Sequence, residues 1–122
     1  MNDELNTRYD EAVTALGEVD LTSSTAAVSS LTRARDAVQS ALDEAMAQAV
    51  TREGTSVRQV AALAGIAPNS VPPRLARSAS LSAYSRDGRV DAEGITLARA
   101  DHHEEDAPMR FVRRNSKGNT RD

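Results

Sequence analysis

The sequence contains no cysteine and no tryptophan, and its aromatic side chains are two tyrosines and one phenylalanine. Without cysteine there is neither a disulfide framework nor a thiolate metal site. With so few aromatic side chains a large core cannot be built, and the apolar supply is mostly Ala, Val and Leu, which favours thin helix–helix packing over a sheet sandwich. These absences predict an all-α protein with one small core.

Long apolar runs are also missing. No stretch approaches the roughly 20 apolar residues that span a membrane. The N-terminus is acidic and has no basic region followed by an apolar one, so no secretory signal is expected. We therefore expect a soluble, cytoplasmic protein without a membrane partner, with one small domain and extensions in its 122 residues.

The net charge of −3 conceals an uneven distribution of charge along the chain. Residues 1–50 carry nine acidic and three basic side chains, whereas residues 51–90 carry six arginines and two acids. The basic side chains are fourteen arginines and one lysine, a bias typical of a GC-rich genome such as that of an actinobacterium or one of its phages. Positive charge in the middle of the chain favours a polyanionic partner for that segment.

The first predicted element is a helix over residues 3–17. Leu5, Tyr9, Val13 and Leu16 recur at helical spacing, and acids occupy its first turn. Gly17 and the following Thr- and Ser-rich segment predict a loop.

A much longer helical pattern runs from about residue 25 to 52 and stops before Gly54, a predicted C-terminal cap. At 1.5 Å per residue this helix would extend about 40 Å, further than the first helix can cover. Residues 1–40 are thus predicted to form a helical hairpin, and the uncovered stripe predicts a homodimer through the long helix. A monomeric cluster of three or four helices with a partly exposed stripe is the alternative.

The segment 55–78, TSVRQVAALAGIAPNSVPPRLARS, has a more specific pattern. A small residue, Ala61, is followed four positions later by Gly65, then by the apolar Ile66, and five positions further on by Val71. Glycine at this turn suits a positive φ, where a Cβ costs about 1 kcal/mol or more. Thr55 or Ser56 is a predicted cap of the helix that enters the turn.

These residues resemble the helix-turn-helix DNA-binding motif of phage and bacterial regulators, over roughly residues 41–78. The resemblance implies a tri-helical head, residues 41–84, whose first helix is the end of the long one. It also implies that Val60, Leu63, Val71 and Leu75 point into the head, and that the helix after Asn69 or Ser70 enters a DNA groove.

The resemblance and the local arginine excess predict six DNA contacts. Asn69 and Ser70 are expected at a phosphate or base edge, and Arg74 and Arg77 at the groove and backbone. Positioning contacts are expected from the preceding helix. The full predicted set is Arg58, Gln59, Asn69, Ser70, Arg74 and Arg77. A solvated helix face is the alternative for the arginines.

Two features depart from the family pattern. Pro72 and Pro73 disfavour α geometry at the residues before them, so the recognition helix either begins at about Pro73 or has a tightened first turn. Arg74 stands at or near a position where the family keeps an apolar residue.

Residues 85–122 are predicted to form an extension and a disordered charged tail. Residues 89–100 fit either a last helix or a short wing-like hairpin. Adjacent His102 and His103 point apart in regular structure, so an acidic patch is predicted there and no metal site. The last residues fit a DNA-binding arm or a solubilising tail; the arm residues are Arg110, Arg113, Arg114 and Lys117.

No nucleophile–base set, phosphate-binding glycine loop or pair of catalytic carboxylates can be assembled, so neither an enzyme nor a cofactor is expected. The sequence predicts a sequence-specific double-stranded DNA-binding protein, a transcriptional regulator of phage, plasmid or bacterial origin. The alternative is an assembly factor, such as a DNA-packaging component, whose hairpin and head dock onto a protein partner.

Overall fold

The computed structural model describes residues 3–106, and their side chains through residue 102. Within these residues the fold is all-α, as predicted, and has no β-strand. No helix among them has the length and apolarity to cross a bilayer. In chain order the elements are α1 (Glu4–Gly17), α2 (Ser24–Arg52), α3 (Val57–Ala64), a 3₁₀ turn (Pro68–Ser70), α4 (Val71–Leu75), a second 3₁₀ turn (Ser82–Tyr84) and α5 (Ala92–Asp106).

Helices α1 and α2 form the predicted antiparallel hairpin. Asp3 caps α1 by accepting a hydrogen bond from the Leu5 backbone N–H at 2.6 Å, and the loop is closed by the Asp20 N–H, which donates to Ser30 Oγ at 2.9 Å. The two helices meet at small residues: Ala12 and Ala34 are only 4% and 2% exposed. The two backbones therefore approach closely, and the larger apolar side chains lie outside the contact.

Arg8 connects this hairpin to the rest of the molecule. Its guanidinium donates to the Ser40 carbonyl oxygen at 3.0 Å and to the Arg77 carbonyl oxygen at 3.3 Å, while Nε pairs with Glu4 at 2.7 Å. The side chain is 14% exposed. One arginine thus fixes α1 against both α2 and the segment that follows α4.

The second half of α2, with α3, α4 and α5, encloses the core. Val90, Ile95 and Ala98 belong to it, so the extension predicted to begin at residue 85 packs into the head as far as Ala98. Of the two structures considered for residues 89–100, the helix is present as α5, and no hairpin forms within these residues. The core residues are Met46, Ala47, Val50, Val60, Ala61, Val71, Leu75, Leu81, Val90, Ile95 and Ala98.

A buried carboxylate organises the loop after α4. Glu44 has no exposed surface, yet Oε1 accepts hydrogen bonds from the Ala79 and Ser80 backbone N–H groups at 2.8 and 3.3 Å. Oε2 accepts from the Ser80 hydroxyl and from Gln48 Nε2. A buried polar group is tolerated when hydrogen bonds replace its hydration, and these four do so.

Candidate nucleic-acid interface

The turn between α3 and the next element has the predicted geometry. Ser56 and Gln59 form a reciprocal capping box at the start of α3, and Gly65 ends the helix with φ +73°. The Ile66 N–H donates to the Ala61 carbonyl oxygen at 3.0 Å, which closes the turn. Ala61 is 1% exposed and belongs to the core against which α3 packs. No neighbouring atom lies within 4 Å of a Cβ built on Gly65, so a side chain would have space there. Glycine is favoured at this position because of its left-handed backbone conformation.

We call residues 68–77 the recognition segment, because the recognition helix was predicted there. It begins with a tightened first turn, which is one of the two alternatives considered for Pro72 and Pro73. The 3₁₀ turn Pro68–Ser70 leads directly into α4, and Val71 has φ −72° and ψ −47°. A late start at Pro73 is therefore wrong. The prolines are tolerated because first-turn amides have no carbonyl partner within the helix.

Val71 and Leu75 are fully buried, as predicted, and this fixes which side of the segment faces outward. Within α4, at 100° per residue, the side opposite them carries Pro73. Asn69 precedes α4 in the 3₁₀ turn, and Arg77 follows α4 and lines a shallow depression with Asp36 and Asp43 of α2. Asn69 and Arg77 are exposed, as is the adjacent Ser70. Pro73 was not predicted to face outward. Because its ring carries no hydrogen-bonding group, it leaves the contacts with a ligand to the neighbouring polar side chains.

Arg58 lies in the first turn of α3 and is exposed. Among the side chains that the structure describes, those of residues 3–102, its side chain and those of Asn69, Ser70 and Arg77 make no hydrogen bond or ion pair. Four of the six predicted contacts therefore present unengaged polar groups.

Arg74 has a different environment from the one predicted. Its Nε donates to Asp43 Oδ1 at 2.6 Å, and the two side chains are 18% and 4% exposed. The guanidinium is held against α2 because a buried carboxylate requires a charged partner. Arg74 is thus a link between α4 and α2 rather than a free groove contact.

Gln59 is also engaged within the protein. Its Oε1 accepts from the Ser56 N–H at 3.1 Å, while the Gln59 N–H donates to Ser56 Oγ at 3.1 Å. The side chain remains exposed, but its carbonyl oxygen serves the cap of α3.

Leu63 corrects a second prediction. It is 84% exposed instead of buried in the head. The inward stripe of α3 consists of residues 57, 60, 61 and 64, and at 100° per residue Leu63 lies about 110° from its centre.

The Asp87–Gly88 turn carries two arginines, and its position beside α4 was not predicted. Asp87 and Gly88 have φ +56° and +78°, and Arg86 and Arg89 exchange backbone hydrogen bonds across them. The next residue, Val90, donates its N–H to the Pro72 carbonyl oxygen at 3.1 Å, so the turn is attached to α4. Asp–Gly between two arginines predicts a turn, but only this long-range contact brings Arg89 to the recognition segment.

The exposed cations of the head differ in their partners. Arg86 lies 3.7 Å from Asp91 and 3.2 Å from Glu93. In the part of the chain that the structure describes, Arg58, Arg77 and Arg89 have no carboxylate within ion-pair distance. The candidate interface is therefore formed by these three arginines with Asn69 and Ser70.

Comparison with protein-family models, with curated proteins and with solved structures gives no match, so the interface is judged on its own geometry. The predicted basic arm, Arg110, Arg113, Arg114 and Lys117, lies outside the described residues.

Proposed function

We propose that the protein binds double-stranded DNA through its tri-helical head and acts as a regulator without catalysing a reaction. The observation that carries the proposal is the Gly65 turn, with its φ of +73°, which joins α3 to a short segment with a buried and an exposed side. The exposed side presents hydrogen-bonding and cationic groups that have no partner among the described side chains of residues 3–102. Such groups suit a polyanion with readable base edges.

In this proposal the side chains divide into two roles. Arg58 and Arg77 bind phosphates on either side of the groove, and Arg89 binds the backbone next to the turn that carries it. Asn69 lies at the start of the recognition segment, where its amide can form the bidentate pair with adenine N6 and N7. Ser70 donates to a phosphate or a base edge.

The small number of available cations limits the affinity of one head. Three phosphate contacts correspond to a salt slope of only about −2.7, which is weak compared with regulators that make six to ten contacts. Sequence-specific binding at physiological salt therefore requires two heads on one site, as in regulators that bind paired half-sites.

One observation favours the assembly-factor alternative. The hairpin carries large apolar side chains that are half exposed, which is typical of protein–protein contact surfaces. DNA binding requires Arg58 and Arg77 to contact phosphates, whereas docking onto a protein partner does not.

The test is duplex binding by fluorescence anisotropy at low salt, followed by selection from random duplexes. The double variant Arg58→Gln/Arg77→Gln should lose at least tenfold in affinity. The control is Arg33→Gln, which removes one exposed arginine from the hairpin and should bind like the unmodified chain. Equal losses in both variants would indicate non-specific charge attraction, and enrichment of no sequence would contradict specific recognition.

A further inference from the structure

The hairpin has two rows of large apolar side chains that nothing in the described residues covers. The row on α1 consists of Tyr9, Val13 and Leu16, which are 60%, 49% and 53% exposed. The row on α2 consists of Val28, Leu31 and Val38, which are 67%, 48% and 44% exposed. We call these six residues the hairpin face.

Helical geometry places both rows on the same side of the hairpin. The sides of α1 and α2 that meet are marked by the buried Ala12 and Ala34. At 100° per residue, each row is centred about a quarter turn from that contact, in the same rotational sense along its helix. Because the helices are antiparallel, equal rotations bring both rows to one side.

The opposite side of the hairpin is polar. A shallow depression there is lined by Thr7, Asp10, Glu11, Thr14 and Glu18, together with Ala15. The hairpin is therefore amphipathic as a unit: small residues hold it together, polar residues cover one side and large apolar residues cover the other.

The size of the hairpin face is appropriate for a dimer. At their exposed fractions the six side chains present on the order of 500 Å², near the upper end of the largest apolar patch on typical monomers. Two copies of this patch with their polar margins reach the roughly 1,200 Å² at which stable interfaces begin.

We propose that the hairpin face binds the same face of a second copy of this chain, giving an antiparallel four-helix bundle with both heads at one end. A two-fold axis parallel to the hairpin sets α1 of each copy against α2 of the other. This pairing does not depend on DNA; only its consequence for half-site spacing rests on the proposed function.

Charge supports this arrangement over the other two-fold packing. Helix α1 carries three acids and one arginine, whereas residues 24–39 of α2 carry two arginines and one aspartate. Setting α1 against α2 of the second copy brings the acidic helix against Arg35, which at 100° per residue shares the side of α2 that carries Leu31 and Val38. The alternative axis, perpendicular to the helices, would set one acidic α1 against another and place the heads at opposite ends, at a cost in like-charge repulsion.

The oligomeric state of the full chain, without DNA, tests the proposal. Sedimentation at micromolar concentrations should give twice the mass of one chain, and Val28→Lys/Leu31→Lys should give a monomer with unchanged far-UV circular dichroism. The matched control is Leu63→Lys/Leu97→Lys, which changes two leucines that are 84% and 53% exposed but lie outside the hairpin face; it should remain a dimer.

The arrangement has its own test, because the chain contains no cysteine. Leu21→Cys places a single thiol at the hairpin tip, where Leu21 is 73% exposed. With both heads at one end, the two tips meet, and mild oxidation should produce a covalent dimer. A monomeric wild-type chain, a dimer that survives the lysine pair, or a dimer whose tips do not cross-link would each overturn the proposal. Since no duplex is present, these results are independent of whether the head binds DNA.

Discussion

Arg74 Nε and Asp43 Oδ1 lie 2.6 Å apart and join α4 to the middle of α2, although the two residues are 31 positions apart in the sequence. The carboxylate is 4% exposed and the arginine 18%, so water competes little for either group. Because Arg74 is bound to Asp43, it does not belong to the candidate interface. The pair instead holds α4 against α2. If the head binds DNA as proposed, its affinity depends on its other arginines.

Breaking this pair should destabilise the fold. Asp43→Asn leaves the arginine without its counter-charge, and we expect the free energy of unfolding to fall by about 1–3 kcal/mol. Urea denaturation followed by circular dichroism measures the change. The control is Asp36→Asn, whose partner Arg35 and own side chain are 63% and 61% exposed; it should change stability by less than about 0.5 kcal/mol. Similar losses in the two variants would show that the Arg74 pair is no stronger than a surface pair.

Gly65→Ala should destabilise the head through the backbone alone. The residue has φ +73° with no neighbouring atom near its Cβ direction, so the cost is the left-handed conformation, about 1 kcal/mol or more. Gly17→Ala is the matched control, because Gly17 also has open space and its φ is not positive. Thermal unfolding should show a lower midpoint for the first variant and none or a slight rise for the second. Equal midpoints would mean that the turn adopts another conformation.

Gly94→Ala tests a close approach within the head. A Cβ on this helical residue would lie 2.8 Å from the Tyr84 carbonyl oxygen and 3.1 Å from Val90 Cγ1. Helix propensity alone would make alanine more stable than glycine by about 1 kcal/mol. Because a backbone atom must shift, we expect a net loss of about 1–3 kcal/mol instead. A raised melting temperature would show that α5 does not pack against the second 3₁₀ turn at this distance.

Acid should weaken the hairpin at its N-terminus. The Asn6 backbone N–H, followed by those of Leu5 and the Gln48 amide, holds the pKa of Asp3 below its ordinary value, against a smaller opposing effect of desolvation. A carboxyl with a lowered folded pKa stabilises the fold above its unfolded pKa, and this contribution is lost as pH falls through the folded pKa, below about pH 4.

The measurement is unfolding of wild type and Asp3→Asn as a function of pH. At neutral pH the variant should be the less stable of the two, and the difference should narrow below about pH 4, since asparagine does not titrate. A difference that stays constant down to pH 2 would remove Asp3 as a source of acid sensitivity.

The local features of the fold were predictable from the sequence. The two helices of the hairpin and the left-handed glycine at 65 follow from spacing and turn chemistry within a few residues. The inward positions of Val71 and Leu75 follow from the resemblance to the helix-turn-helix motif. Leu63 was assigned wrongly because its position was taken from the motif pattern, whereas a helix of eight residues buries only one narrow stripe.

The contacts that define the candidate interface were not predictable, because they join distant segments. Asp43 and Glu44 look like ordinary acids on a long helix, yet one binds Arg74 and the other binds the backbone of Ala79 and Ser80. Arg89 reaches the interface through a hydrogen bond between Val90 and Pro72. No periodicity or local motif specifies such partners.

The salt dependence of duplex affinity tests the central proposal most directly. The logarithm of the association constant should fall linearly with the logarithm of salt concentration, with a slope of about −2.7 per head from three arginine–phosphate contacts. Arg58→Gln/Arg77→Gln should reduce the magnitude of this slope by about 1.8 per head, while Arg33→Gln leaves it unchanged. A protein with no duplex affinity at low salt, or one whose slope is the same in the double variant and in Arg33→Gln, would contradict DNA binding through this head.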